Sequence, residues 1–71
     1  MTNYIVIVWA KEIAAPQSSH PFVYGFLARS RDDAERLAKA RFMRTQTSEY
    51  EFVSVRAEPA HFDAVGSLIM A

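Results

Sequence analysis

The feature that most constrains the fold of this chain is the stretch at residues 30–45, with the sequence SRDDAERLAKARFMRT. Ser30 is placed to accept a hydrogen bond from a backbone N–H group of the first helical turn, and Asp33 completes a variant of the capping box. Strong helix formers follow, and neither glycine nor proline occurs before Thr45. The sequence therefore predicts one capped helix over this stretch.

The predicted helix has an apolar side and a charged side. At about 100° per residue, one apolar stripe is formed by Ala34, Leu37, Ala38 and Phe42. The opposite face carries Arg36, Lys39 and Met43, and residues 29–44 hold six basic residues against three acidic ones. We interpret this face as a contact surface for a partner, although an ordinary solvated face would carry the same residue types.

Three other segments have the composition of β-strands. Residues 4–10 are β-branched and aromatic without polar alternation, which predicts a central strand that is buried on both faces. A second strand starts after Pro21 and covers residues 22–28 or 22–29, and residues 50–57 alternate as a third strand. The order predicts a single α+β domain over residues 1–71, ββαβ, with an antiparallel sheet of three or four strands on one main helix.

The alternation of the second and third strands separates an aliphatic side from an aromatic side. The simplest arrangement packs the helix on the aliphatic set, Val23, Leu27, Val53 and Val55. The aromatic set then lies on the opposite face of the sheet: Phe22, Tyr24, Phe26, Tyr50 and Phe52. An open aromatic face would serve as a second interface, with Tyr24, Tyr50 and Phe52 as its candidate residues.

The tail, residues 59–71, is the segment of the chain that is available to cover this aromatic face. Pro59 suits the first turn of a helix, so we favour a short helical turn there. The alternative is a helical turn followed by a fourth strand at residues 67–70. Gly25 in the second strand marks a β-bulge, a place where another backbone comes near or, as we prefer, a position that makes room for the helix or Trp9.

Length and composition indicate one small domain with much apolar surface. The chain has 71 residues, of which 51% are hydrophobic. It therefore either packs unusually well or covers apolar surface with a partner, and this partner could be a second copy of the chain. The net charge is zero, so no global attraction to nucleic acid or membrane is expected. The apolar run at residues 4–10 is too short to span a bilayer, and we expect a cytoplasmic protein without a membrane partner.

The residue types that carry catalysis or metal binding are sparse. There is no cysteine, and the two histidines, His20 and His61, are far apart in the sequence without a ligand-spaced companion. The two glycines do not make a phosphate-binding loop, and Ser18 and Ser19 lack the context of a nucleophile. We therefore expect no enzyme activity, no catalytic residues, no cofactor and no metal.

Two classes of function remain after this exclusion. The first is a protein-binding module that uses the charged helix face, the aromatic sheet face, or both. The second is a small nucleic-acid-binding domain, in which aromatic rings stack on bases and arginines follow the phosphates. The zero net charge favours the first class, because nucleic-acid binding depends on an excess of positive charge.

The stretch FLARSRDDAERLAKARF, with its spacing Ala28-x-Ser30-x-x-x-Ala34-x-x-x-Ala38, resembles very small bacteriophage-encoded ββαβ proteins. Some of these are type I anti-CRISPR proteins, which bind the RNA-guided surveillance complex and block target DNA. The resemblance implies an inhibitor in the cytosol of a bacterial host, with Arg31, Arg36, Lys39 and Arg44 as the first candidates for contacting the target. Met43, on the exposed helix face, completes the set of candidate partner-binding residues. Many anti-CRISPR proteins are acidic mimics of DNA, so for this neutral chain we expect occlusion of a DNA site or a nuclease site.

Overall fold

The computed structural model describes the backbone of residues 1–62 and 68–70, and the side chains of residues 1–60. Five elements follow one another along the chain: β1 (Thr2–Glu12), β2 (Ser19–Ala28), α1 (Arg31–Thr45), β3 (Tyr50–Phe62) and β4 (Leu68–Met70). The predicted α+β class and the ββαβ order are confirmed, and each of the first three strands extends beyond the residues predicted for it at one end or both.

The strands form one antiparallel sheet in the order β2-β1-β3-β4, so β1 is central as predicted. One face of β1 is fully buried at Val6, Val8 and Ala10. On its other face Ile5 and Ile7 are half-buried and Trp9 is exposed. The prediction that this strand is buried on both faces was wrong, because only one layer of secondary structure covers the described sheet.

The helix begins and ends with the expected capping chemistry. Ser30 Oγ accepts a hydrogen bond from the Asp33 N–H at 3.1 Å, and the Asp33 carboxylate accepts one from the Arg29 N–H at 3.5 Å. At the other end, the N–H of Gln46 donates to the carbonyl of Phe42 at 2.9 Å. Three residues of the predicted apolar stripe, Ala34, Ala38 and Phe42, are fully buried against the sheet.

The helix packs on the aromatic side of the sheet, so the predicted packing on the aliphatic side was wrong. Phe22, Tyr24, Phe26, Tyr50 and Phe52 are partly buried against the core, while Val23 and Leu27 are exposed. The physical reason is the larger apolar area of the rings, which gains more from burial than that of the smaller aliphatic side chains.

A β-bulge in β3 explains why alternation misassigned its faces. Trp9 pairs with Ser54 and Ala10 pairs with Phe52, which leaves Val53 as an extra residue without a partner on β1. Beyond this point the alternation reverses, so Tyr50 and Phe52 share the helix side with Val55 and Ala57. Val53 itself is 53% exposed instead of lying under the helix.

The favoured helical turn at Pro59 was also wrong. β3 continues through Pro59 to Phe62, and its last three residues pair with β4. β4 pairs only with residues 60–62, so Pro59 lies where β3 has no described neighbour on that side, a position that tolerates proline. The alternative fourth strand is confirmed at residues 68–70, whereas residues 63–67 and 71 lie outside the described residues.

Candidate functional site: an apolar groove beside the helix C-terminus

An apolar groove of about 520 Å³ lies between the end of α1 and the start of β3. Three separate parts of the chain line it: Ile13 after β1; Met43 and Thr47 at the end of the helix; and Tyr50, Glu51 and Phe52 at the start of β3. A neighbouring depression of about 390 Å³ shares Ile13 and Tyr50 with it. We call the first of these the groove.

Backbone hydrogen bonds hold the three parts of the groove in place. The N–H of Tyr50 donates to the carbonyl of Gln46 at 3.0 Å, which closes the short connection between α1 and β3. The N–H of Ile13 donates to the carbonyl of Glu49 at 3.0 Å, and Thr47 Oγ1 donates to the carbonyl of Met43 at 3.2 Å. The groove is therefore formed by a braced turn, without a long loop.

The floor of the groove consists of two rings that the core holds on their other side. Tyr50 packs edge-on against Phe22 with 4.9 Å between ring centroids, and Phe52 packs against the buried Phe42 at 6.1 Å. Above this floor Met43 is 48% exposed and Ile13 is 56% exposed. The groove thus combines rigid aromatic groups with two solvent-facing aliphatic side chains.

Charged groups border the groove on two sides. Lys39 Nζ lies 4.5 Å from the centroid of the Phe52 ring, in the geometry of a cation–π contact. Glu51 lines the groove itself and also forms an ion pair with Lys11 at 3.8 Å. An apolar centre with a charged border is the usual arrangement of a protein-binding surface.

Of the five helix residues that the sequence singled out, Lys39 and Met43 lie at this groove. Arg31 instead forms an ion pair with Glu58 at 3.6 Å, and Arg36 donates to Asp33 at 2.6 Å. Arg44 lies exposed in the last turn of the helix. Lys39 and Met43 are themselves exposed, as predicted for the outer face of the helix.

Of the three residues expected at a second interface, Tyr50 and Phe52 line the groove and Tyr24 does not. Tyr24 stacks on Phe26 at 6.2 Å on the helix side of the sheet. The prediction of an open aromatic face was wrong, because the helix packs on the rings that were expected to form this face. The structure therefore joins two residues of the expected second interface with two residues of the helix face at a single site.

The charge of the first helical turn is balanced internally. The hydrogen bond from Arg36 lowers the pKa of Asp33 below its usual value of 3.8, and the backbone N–H of Arg29 and the charges of both arginines act in the same direction. Asp33 thus stays ionised beside Arg36. The guanidinium of Arg36 has a carboxylate partner and is less available to an external anion.

Ile13 is a groove residue that sequence analysis missed. The segment after the first strand, IAAPQSSH, reads as a loop because of its proline, serines and glutamine. The only local sign that Ile13 has a role is that it is an isolated branched aliphatic residue at the start of a loop. Its role depends on the contact with Glu49, which is distant in the sequence.

The other face of the sheet is a second exposed apolar surface. Trp9, Val23 and Leu27 are 43%, 63% and 56% exposed, and they flank the half-buried Ile5 and Ile7. β3 contributes Arg56 and Glu58 to the same face, joined by a 2.7 Å hydrogen bond. We call this surface the open sheet face.

Comparison of the chain with models of known protein families, with curated proteins and with solved structures finds no match in any of the three. In the part of the chain with described side chains, no group of three or more His, Asp or Glu residues is arranged to hold a metal ion. The described helix is too short and too polar to cross a lipid bilayer.

Proposed function

We propose that this protein is a non-enzymatic binding module that acts by docking another protein into the groove. The observation that carries the proposal is the exposure of Met43 and Ile13 over the fixed rings of Tyr50 and Phe52. Interfaces gain most of their binding free energy from a few apolar and aromatic anchors that are fully desolvated on binding. The groove offers such anchors in positions that the fold has already set before the partner binds.

The proposed mode of binding places an apolar side chain of the partner between Met43 and the two rings. Because the core fixes one side of each ring, binding immobilises few rotamers on this protein. Lys39 and Glu51 then orient the partner through charges of opposite sign at the border of the groove.

For the identity of the partner we propose a type I CRISPR surveillance complex, with the protein acting as a phage-encoded inhibitor in the bacterial cytosol. The support for this target is the resemblance of residues 22–55 to small anti-CRISPR proteins. The neutral chain does not imitate the charge of DNA. It would therefore inhibit by occupying a surface that DNA or a recruited nuclease needs.

The alternative, a small nucleic-acid-binding domain, has less support from the geometry. Base stacking needs open rings, whereas Tyr24, Tyr50 and Phe52 are partly buried against the core. Two of the helix arginines, Arg31 and Arg36, already face carboxylates. Both features reduce the contacts that this fold offers to bases and phosphates.

Capture by a purified type I surveillance complex, with and without nuclease treatment, tests the proposal. We expect the tagged protein to retain the complex in a fixed ratio in both arms. Retention that disappears after nuclease treatment would favour the nucleic-acid alternative. Absence of retention in both arms would overturn the CRISPR target.

A further inference from the structure

Among the described residues, no strand pairs with the outer edge of β2. In the described sheet, β2 pairs with β1 on one side and is the last strand on the other. Its sequence, SHPFVYGFLA, contains no aspartate, glutamate, lysine or arginine. Its only proline is Pro21, so residues 22–28 form an uninterrupted apolar edge.

Such an edge is unusual in a protein that remains monomeric. Edge strands generally carry charges, prolines or bulges, because unpaired N–H and C=O groups act as a template for another strand. A window such as FVYGFLA, with high β-propensity and no charge, is the kind of segment that self-associates when exposed. The edge of β2 is therefore well suited to pair with another strand.

We propose that β2 pairs in antiparallel orientation with β2 of a second copy of this chain, about a two-fold axis at Tyr24. In this register Phe22 lies opposite Phe26 of the second copy, so three pairs of rings face one another on the helix side. On the open sheet face Val23 lies opposite Gly25 of the second copy. A Cβ atom built on Gly25 meets nothing within 4 Å, which leaves room for the valine.

A second copy suits this edge because the strand is complementary to itself. Antiparallel pairing of one strand with its own copy follows directly from two-fold symmetry, and centring on a residue keeps both helices on the same side. No charged side chain of β2 meets a like charge across the seam, since β2 has none. The open sheet faces of the two copies then become continuous.

The helices leave enough space for this pairing. The buried side of α1 packs over the core cluster that includes Val6 and Val8 of β1. The two β1 strands would be separated by three strand spacings, about 14 Å at about 4.8 Å each, whereas a helix with its side chains is about 10 Å wide. None of the groove-lining residues belongs to β2, so each copy keeps its groove.

Cysteine cross-linking tests the register, because the chain has no native cysteine. In the double variant V23C/G25C, oxidation should join the two copies through residues 23 and 25 into a product of about twice 8.1 kDa. The variant S54C carries its cysteine on β3, away from the seam, and should remain uncross-linked. The variant P21C/L27C tests the same register if the first variant does not fold.

The unmodified protein provides a measurement that does not depend on a variant. Sedimentation over a wide concentration range should show a dimer, and amide exchange in residues 22–28 should slow as the dimer forms. A monomer at every concentration would overturn the proposal. A dimer that cross-links through S54C but through neither β2 variant would also overturn it, because the copies would then associate through their open sheet faces.

Discussion

At the scale of single residues, Ser30 has the clearest individual role. Its hydroxyl accepts the Asp33 N–H, which otherwise has no partner within the helix. We predict that Ser30→Ala lowers the free energy of unfolding by about 1 kcal/mol, whereas Ser30→Asp retains a capping oxygen and changes it little. Urea denaturation of the three proteins measures this, and equal stability of Ser30→Ala and wild type would contradict the capping role.

Asp33 gives the first turn a dependence on pH. The pKa of Asp33 is lowered in the folded protein, mainly by the hydrogen bond from Arg36. The ionised carboxylate therefore contributes to the free energy of unfolding above pH 3.8, and this contribution is lost as the pH falls through the lowered pKa. We predict that Asp33→Asn removes this acid-sensitive component. Melting temperatures of wild type and variant should differ most at neutral pH and converge in acid, whereas a constant difference would contradict the prediction.

Phe42 tests which side of the sheet the helix covers. Its side chain is fully buried and packs against the rings of Phe22 and Phe52. We predict that Phe42→Ala costs about 3–5 kcal/mol, enough to unfold much of a small domain, while Met43→Ala on the exposed side changes stability by about 0.5 kcal/mol or less. Circular dichroism during thermal unfolding compares them, and similar losses for the two variants would contradict the packing.

At the scale of elements, one carboxylate ties the helix to β3. Glu35 Oε2 accepts the Ala57 N–H at 2.9 Å in a partly buried position. We predict that Glu35→Ala costs about 1–2 kcal/mol, because this N–H loses its acceptor, and that Glu35→Gln retains most of the stability. Hydrogen exchange at Ala57 provides the direct readout: it should accelerate in Glu35→Ala alone, and unchanged exchange would contradict the contact.

The main helix and the first three strands could be predicted from sequence, whereas the side of the sheet that the helix covers could not. The Ser30 cap, the run of helix formers and the apolar residues 4–10 each depend on local chemistry, and each prediction placed its element correctly. The packing side depends on Val53, where a β-bulge reverses the alternation of β3. Nothing in the sequence EFVSVRA distinguishes a bulged valine from a paired one.

The groove could be predicted only in parts, for the same reason. Met43 and Lys39 stood out on the helix, and Tyr50 and Phe52 stood out on a strand that was expected to face away from it. Their meeting requires both the reversed strand face and the braced turn between Gln46 and Tyr50. These are long-range consequences of packing, which local patterns do not encode.

At the scale of the whole molecule, a single helix covers one side of the described sheet. Within the described side chains, most of the large apolar residues that this layer leaves exposed lie in the groove, on the open sheet face or on β2. This distribution accounts for a chain that is 51% hydrophobic and yet has a small core. The groove is the surface proposed for a different protein, and the β2 edge is the one proposed for a second copy.

The groove is proposed to bind a protein partner, and the affinity of a groove variant for the proposed target, the type I surveillance complex, measures this. The variant K39E/M43S changes the charged border and one apolar wall, while R56E, on the open sheet face, is the control for charge reversal. We predict a loss of affinity of about tenfold or more for K39E/M43S and little change for R56E, measured by titration after nuclease treatment. Equal affinities of wild type and K39E/M43S, with the variant folded, would contradict binding of the partner in the groove.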